Sequence, residues 1–355
     1  MSEIKDMLID VVEKIFKDHV EKETVDLVEE GKWAENVWSI LNDNGMLAVA
    51  ISEEAEGAGG DLEDLLNIYR LIGKYAVPIP FVEYTFSNYL LELEKLPVTN
   101  NKITYAVNMN EKLDFTDDQK VSGTLSNVPW ARHADELVTI AKGNAGDYLV
   151  KVSLKDAIVE PNINLACEPR DTVIFNQVEV LNQSTKAIAP EKLQKLVEVE
   201  TAAKIALMSG AIEKINDLTV QYTKEREQFG RPIHRFQLVQ EQLALLAGEA
   251  VIVRTAVDNM IAAIVESRYE DEILLTRIRI DEAVKTVSTA AHQVHGAIGV
   301  THEHNLHQYT RRLWSYRDEG LSQSDWGKIF ANKLLQSNEN LWESLTTVKK
   351  QYQTH

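Results

Sequence analysis

The sequence predicts a mainly α-helical protein with an inserted β domain. An N-terminal helical domain is expected over residues 1–100, a middle β-barrel or β-sheet domain over 101–185, and a C-terminal bundle of long helices over 186–355. Three observations carry this. The chain of 355 residues is too long for one core, so two or three structural units are expected. Apolar residues recur at helical spacing towards both ends. Between them lie short runs of β-branched residues separated by turn-forming clusters.

In the first part, Leu8, Val11, Val12, Ile15 and Phe16 follow the helical repeat, as do Trp38, Leu41 and Leu47. Glu56-Gly57-Ala58-Gly59-Gly60 breaks it. Helix resumes at Leu62 and runs to about Tyr75, where Pro78 and Pro80 interrupt; another spans Val82 to Leu93. Ile103–Val107, Glu136–Ile140 and Tyr148–Val152 read as strands, and Lys142–Asp147 as a turn, which suits a small antiparallel sheet or barrel. From Pro190 onward long helices are expected at about 190–227, 236–267, 270–296, 305–317 and 324–347.

A net charge of -18 argues against nucleic acid or an anionic membrane as the main partner. No uncharged apolar run reaches the roughly 18 residues of a membrane span. The start, Met1 to Asp6, lacks the basic and apolar regions of a secretion signal. The single cysteine, Cys167, cannot form an internal bridge and reads as a small core residue, so a cytoplasmic location is expected. Two basic clusters interrupt the acidic background: Arg226, Arg231, His234 and Arg235, then Arg311, Arg312 and Arg317. Each is either a solvated face or a seat for a polyanionic ligand.

Sharper signals follow. Tyr222-Thr223-Lys224-Glu225-Arg226-Glu227-Gln228-Phe229-Gly230-Arg231-Pro232-Ile233, then Phe236-Gln237, resembles the acyl-CoA dehydrogenase signature in which a helix ends in R-x-x-F-G. Gln293-Val294-His295-Gly296-Ala297-Ile298-Gly299 resembles that family's Q-x-x-G-G/A-x-G turn. Asn44-Gly45-Met46-Leu47 before the glycine-rich loop is similar to the family as well, and Val121 to Asp135 resembles its flavin-side strand segment.

The resemblance implies FAD as cofactor. Arg226 would grip the pyrophosphate of a neighbouring subunit's flavin, since arginine makes bidentate, permanently charged contacts. Phe229 and Gln237 would flank it, Gln293, Gly296 and Ala297 would meet the adenosine end, and Trp130 would lie near the flavin ring. Read without the second motif, Gly230 is a helix C-cap beside a solvated Arg226.

The implied reaction is α,β-dehydrogenation of an acyl-CoA substrate, as in fatty acid metabolism, with electrons passed to an electron-transfer flavoprotein. A carboxylate near an apolar pocket suits the removal of an α-proton. The family places its base in one of two positions. Counting back from Tyr222 lands on Glu200, which shares a helix face with Leu193, Leu196, Val197, Ala203 and Leu207. Counting on from Gly296 lands on Gly320, one residue past the alternative, Glu319. The plain readings are a Glu200–Lys204 helix pair and a surface acid at Glu319.

The family's T-E-P-x-A-G-S-D segment has no counterpart in Tyr105 to Glu111. The abbreviated β domain resembles members that form one half of a two-gene heteromer, so homo- and hetero-oligomer both stand, as dimer or tetramer. The other readings are a non-catalytic partner subunit, and a flavin oxidase or monooxygenase on the same fold. His292, His295, His302, His304 and His307 crowd together, but no acid or cysteine framework is implied, the flavin turn already explains their setting, and no metal site is expected.

Overall fold

The structure, a computed structural model, describes residues 3–107, 110–267, 271–336 and 342. The chain divides into two units, Met1–Ala203 and Lys204–His355.

The first unit opens with helices α1 (Glu3–His19), α2 (Lys22–Glu29) and α3 (Glu35–Asp43). Of the predicted apolar stripe on α1, Val12 and Phe16 are fully buried while Val11 faces solvent, so the stripe is wider than the buried face. Leu47 lies outside α3, on a short 3-10 turn at Met46–Ala48. The glycine-rich loop is dictated by backbone approach: Gly60 N donates to Val49 O at 2.7 Å. A Cβ at Gly57 would sit 2.1 Å from Ile51 O, and one at Gly60 would sit 2.5 Å from Val49 O. Only glycine fits there.

Helix α4 (Leu62–Tyr75) begins with a capping box in which Asp61 and Asp64 each accept the other's backbone N–H. Helix α5 (Phe81–Leu93) follows Pro80, where the fixed φ of proline suits a helix start.

Seven strands follow: β1 (Ile103–Ala106), β2 (Leu113–Phe115), β3 (Lys120–Pro129), β4 (Glu136–Gly143), β5 (Gly146–Ser153), β6 (Ile158–Glu160) and β7 (Arg170–Gln183). Pairings β4–β2, β2–β3, β3–β7, β7–β5 and β5–β4 return on themselves, so the sheet closes as a small barrel, with β1 on β4 and β6 on β7. The expectation of an antiparallel sheet is corrected in part, because β1 and β2 both run parallel to β4. Closure resolves the edge problem of so short a sheet. Leu113, Val121, Leu125, Leu137, Val150 and Val173 fill the interior. Cys167, expected in a core, is half-buried instead, in a left-handed conformation at φ 61° on the loop before β7.

Helix α6 (Pro190–Glu225) leads from the barrel, and the second unit continues with a two-residue ladder, β8 (Glu227–Gln228) on β9 (Arg231–Pro232). Helices α7 (Gln237–Val265), α8 (Glu272–His295), α9 (Leu306–Asp318) and α10 (Gln323–Gln336) complete it. The predicted end of the last helix, near 347, lies outside the described residues. Among those described, no helix is long and apolar enough to cross a membrane.

Candidate functional site

The segment after α6 is not a helix C-cap at Gly230. The helix stops at Glu225, and the chain turns through a hairpin in which Ile233 N donates to Arg226 O at 2.9 Å. Both tip residues are left-handed, Phe229 at φ 53° and Gly230 at φ 75°. A two-residue hairpin of the I′ type requires this, and glycine satisfies it freely. Phenylalanine does not, so the tip holds a strained residue whose ring is 93% exposed. Arg226 is exposed too, and its guanidinium has no partner among the described residues.

The second predicted turn caps α8. Gly296 takes φ 63° and ψ -143°, a region essentially confined to glycine. Gly299 is needed for packing, since a Cβ there would lie 2.9 Å from that of His295. Gln293, Gly296 and Ala297 are exposed.

These two turns are brought together. The Tyr222 ring, one turn before the end of α6, stacks on His295 at 4.3 Å and 19°. The Tyr222 hydroxyl donates to His295 O at 3.4 Å. His304 meets the His295 ring edge-on at 4.7 Å. His295 Nδ1 lies 2.8 Å from Ala291 O, which makes it the protonated nitrogen. His292 Nε2 sits 3.0 Å from Thr310 Oγ1. His292, His295 and His304 are thus ring and hydrogen-bond partners at the junction of the turns.

Burial pushes His295 down to about 4, outweighing the opposing bond to Ala291. His292 and His304 move the same way, again chiefly by burial. The fold therefore holds neutral rings, while the unfolded chain would protonate them. With the folded value below the ordinary 6.5, the stabilisation is fully present above pH 6.5 and is lost as pH falls towards 4. His295 alone should contribute about 3 kcal/mol across that window. Urea unfolding against pH should show the decline, and His295→Gln should flatten it. An unchanged slope in the variant would contradict this assignment.

The first unit holds Glu200 and Trp130. Glu200 is half-buried on α6, and Leu193, Leu196 and Ala203 of its face are fully packed. The Tyr105 hydroxyl on β1 donates to Glu200 Oε1 at 3.3 Å. Tyr105 is itself buried, its ring edge-on to Phe86 of α5 at 4.9 Å. Nothing in the sequence pointed to this contact, because β1 and α6 are joined only by the fold. Trp130, at φ 54°, is 4% exposed, with Trp33 at 6.3 Å and His133 at 5.8 Å. Neighbours from its own unit thus cover its ring, and the structure does not bring it to the surface.

In the second unit, Glu319 ends α9 in an ion pair with Lys204 at 3.6 Å. Gln237, exposed at the start of α7, donates to Glu241 at 3.3 Å. A polar cleft of about 810 Å³ lies beside Glu249, Arg279, Arg317 and Gly320. Within it Arg279 pairs with Glu249 and Arg317 with Asp318, and it contains none of the predicted site residues.

Helices flanking a small barrel, with an arginine-bearing hairpin fastened to a glycine turn, define a recognisable class. The description "Acyl-CoA dehydrogenase, C-terminal domain" matches residues 193–319, and "Acyl-CoA dehydrogenase, N-terminal domain" matches residues 2–91. The chain belongs to the acyl-CoA dehydrogenase family, whose members are flavoprotein oxidoreductases that typically bind FAD. It is 27% identical to acyl-CoA dehydrogenase IpdE2 of Mycolicibacterium smegmatis over 88% of this chain and 93% of that protein. To IpdE2 of Mycobacterium tuberculosis it is 25% identical, over 78% of this chain and 80% of that one. The fold matches the ChsE4-ChsE5 complex from Mycobacterium tuberculosis at a TM-score of 0.87 and 18% identity, covering 96% of this chain and 99% of that one. It matches butyryl-CoA dehydrogenase from Megasphaera elsdenii at 0.84 and 16%, covering 94% and 99%.

Proposed function

We propose that this chain carries out FAD-dependent α,β-dehydrogenation of an acyl-CoA thioester, within an oligomer, and passes the electrons to an electron-transfer flavoprotein. The observation that carries the reading is the joined pair of turns, which presents Arg226, Phe229, Gln293, Gly296 and Ala297 outward together. These residues fit FAD: Arg226 is an uncommitted guanidinium for the pyrophosphate, and Gly296 leaves open space where a Cβ would stand. When bound, FAD supplies the hydride acceptor.

The chain's own residues would do the rest. Glu200 takes the α-proton of the thioester into a new O–H bond as the β-hydrogen departs as hydride, leaving the double bond. Its half-buried place beside packed leucines suits a base that must be reached by an acyl chain and kept from bulk water. Glu319 is the weaker candidate, because the Lys204 ammonium already holds it.

A partner chain is part of the reading. Leu238, Leu245 and Ile252 stand at seven-residue spacing on α7 and are 76%, 43% and 48% exposed, with Val251 beside them. Such a stripe is what a second helix covers. We assign it to another chain of this family, identical or different; the complex of two differently named chains with this fold supports the heteromer. A chain that supplies only the Arg226 half of a flavin site is the second reading, favoured by the covered Trp130.

The test is the visible spectrum of the purified protein, with and without the product of a neighbouring gene. A yellow protein reduced by an acyl-CoA supports the enzyme, and a colourless inactive one overturns it. Arg226→Ala should weaken FAD binding about ten- to a hundredfold in equilibrium dialysis, the loss expected for charge-assisted hydrogen bonds. Unchanged FAD affinity would remove Arg226 from the site.

A further inference from the structure

We propose that Tyr105 is a positioning residue for the base, its hydroxyl fixing the orientation of the Glu200 carboxylate. This rests on the reading of Glu200 as the base. The donor is well anchored. Tyr105 pairs with Val138 in the β1–β4 ladder, and the neighbouring Thr104 hydroxyl donates to Pro129 O at 2.5 Å. The ring is 6% exposed and set against Phe86, so the phenol has little freedom beyond rotation of its O–H.

Glutamate has three side-chain torsions and loses considerable freedom when held in one geometry. A donor fixed on a strand of the barrel supplies that order before substrate arrives, which is where proximity contributes to rate. The bond uses Oε1 and takes one of the roughly four lone-pair sites of a carboxylate. The segment from Tyr105 lacks the family's T-E-P motif, so here the strand's contribution to the site is a phenol.

The test compares Tyr105→Phe and Glu200→Gln in the holoenzyme with its partner chain. Each is assayed with the thioester turned over best from a panel of short, branched and long acyl-CoAs. Two quantities are read: dehydrogenation kinetics, and deuterium uptake at the acyl α-carbon in D2O without an electron acceptor, by mass spectrometry. The second reports proton abstraction alone. Tyr105→Phe keeps the ring, so its melting midpoint should match the wild type. Its kcat and its uptake rate should both fall about tenfold, the scale of one hydrogen bond to a charged group, with KM held. Glu200→Gln should lower both by about a thousandfold.

If Glu200→Gln is inactive while Tyr105→Phe exchanges at the wild-type rate, or loses only in KM, the positioning role is overturned and the base stands. If Glu200→Gln still exchanges, or no thioester is turned over, the base reading fails and the role of Tyr105 fails with it.

Discussion

Arg277→Leu is expected to lower the stability of the second unit by about 3–5 kcal/mol, the usual cost of leaving a buried charge without its partner. Arg277, on α8, is 1% exposed. Its Nε donates to Asp281 at 3.0 Å, and its terminal nitrogen donates to Tyr316 O at 3.1 Å and Arg317 O at 2.7 Å. One guanidinium thus neutralises a buried carboxylate and satisfies two carbonyls at the end of α9, where helical acceptors lack partners. Burial pushes the Asp281 carboxyl above its ordinary value, against the smaller pull of Arg277.

The sign follows. A carboxyl raised in the fold binds its proton more tightly there than in the unfolded chain, so stability falls as pH rises through that window. Without Arg277 the shift grows, and the loss should be larger at neutral than at mildly acidic pH. The apolar double variant Arg277→Met with Asp281→Leu should recover most of the loss. Urea unfolding of the three variants decides it. A single-variant loss below about 1 kcal/mol, typical of an exposed pair, would falsify this account of the bundle.

Glu200→Gln should reduce dehydrogenation by about a thousandfold, within the range of a lost general base. Glutamine keeps the size and can still accept from Tyr105, but it cannot take up a proton at working pH. The FAD content should be unchanged, because no assigned flavin contact involves Glu200. Arg226→Ala should do the reverse, losing cofactor while a fully loaded sample keeps its proton exchange. Stopped-flow reduction by acyl-CoA, read against flavin content, separates the two. Near-wild-type reduction by Glu200→Gln would transfer the role to Glu319 or to no residue of this chain.

The three textures of the chain were legible because each reports a local period. The β-branched run at Glu136–Ile140 and the helical spacing around Leu65 and Ile72 survive any tertiary arrangement. The first four long helices after Pro190, and the start of the fifth, were placed within a few residues for the same reason. Parallel pairing of β1 and β2 with β4 was not legible, since register between distant strands leaves no mark on either one. The Leu47 turn was missed because three apolar residues at helical spacing look alike whether or not the helix continues.

The site divides in the same way. Arg226, Phe229, Gln293 and Gly296 could be named because they lie in contiguous motifs. Their conformations could not be. The hairpin that exposes Phe229 depends on left-handed angles at two adjacent residues, and one of them is not glycine. The Tyr105–Glu200 contact left no mark on the sequence, and neither did the packing of Trp130 against Trp33 and His133.

By itself, then, the sequence determined the order of helical and β parts, the family, and the two glycine-bearing turns, all properties of neighbours along the chain. Tertiary structure alone decided that the barrel closes, that Tyr222 locks those turns together through His295, and that Tyr105 reaches Glu200. Those are contacts between residues far apart in sequence, and their energy depends on burial and geometry that exist only once the chain has folded.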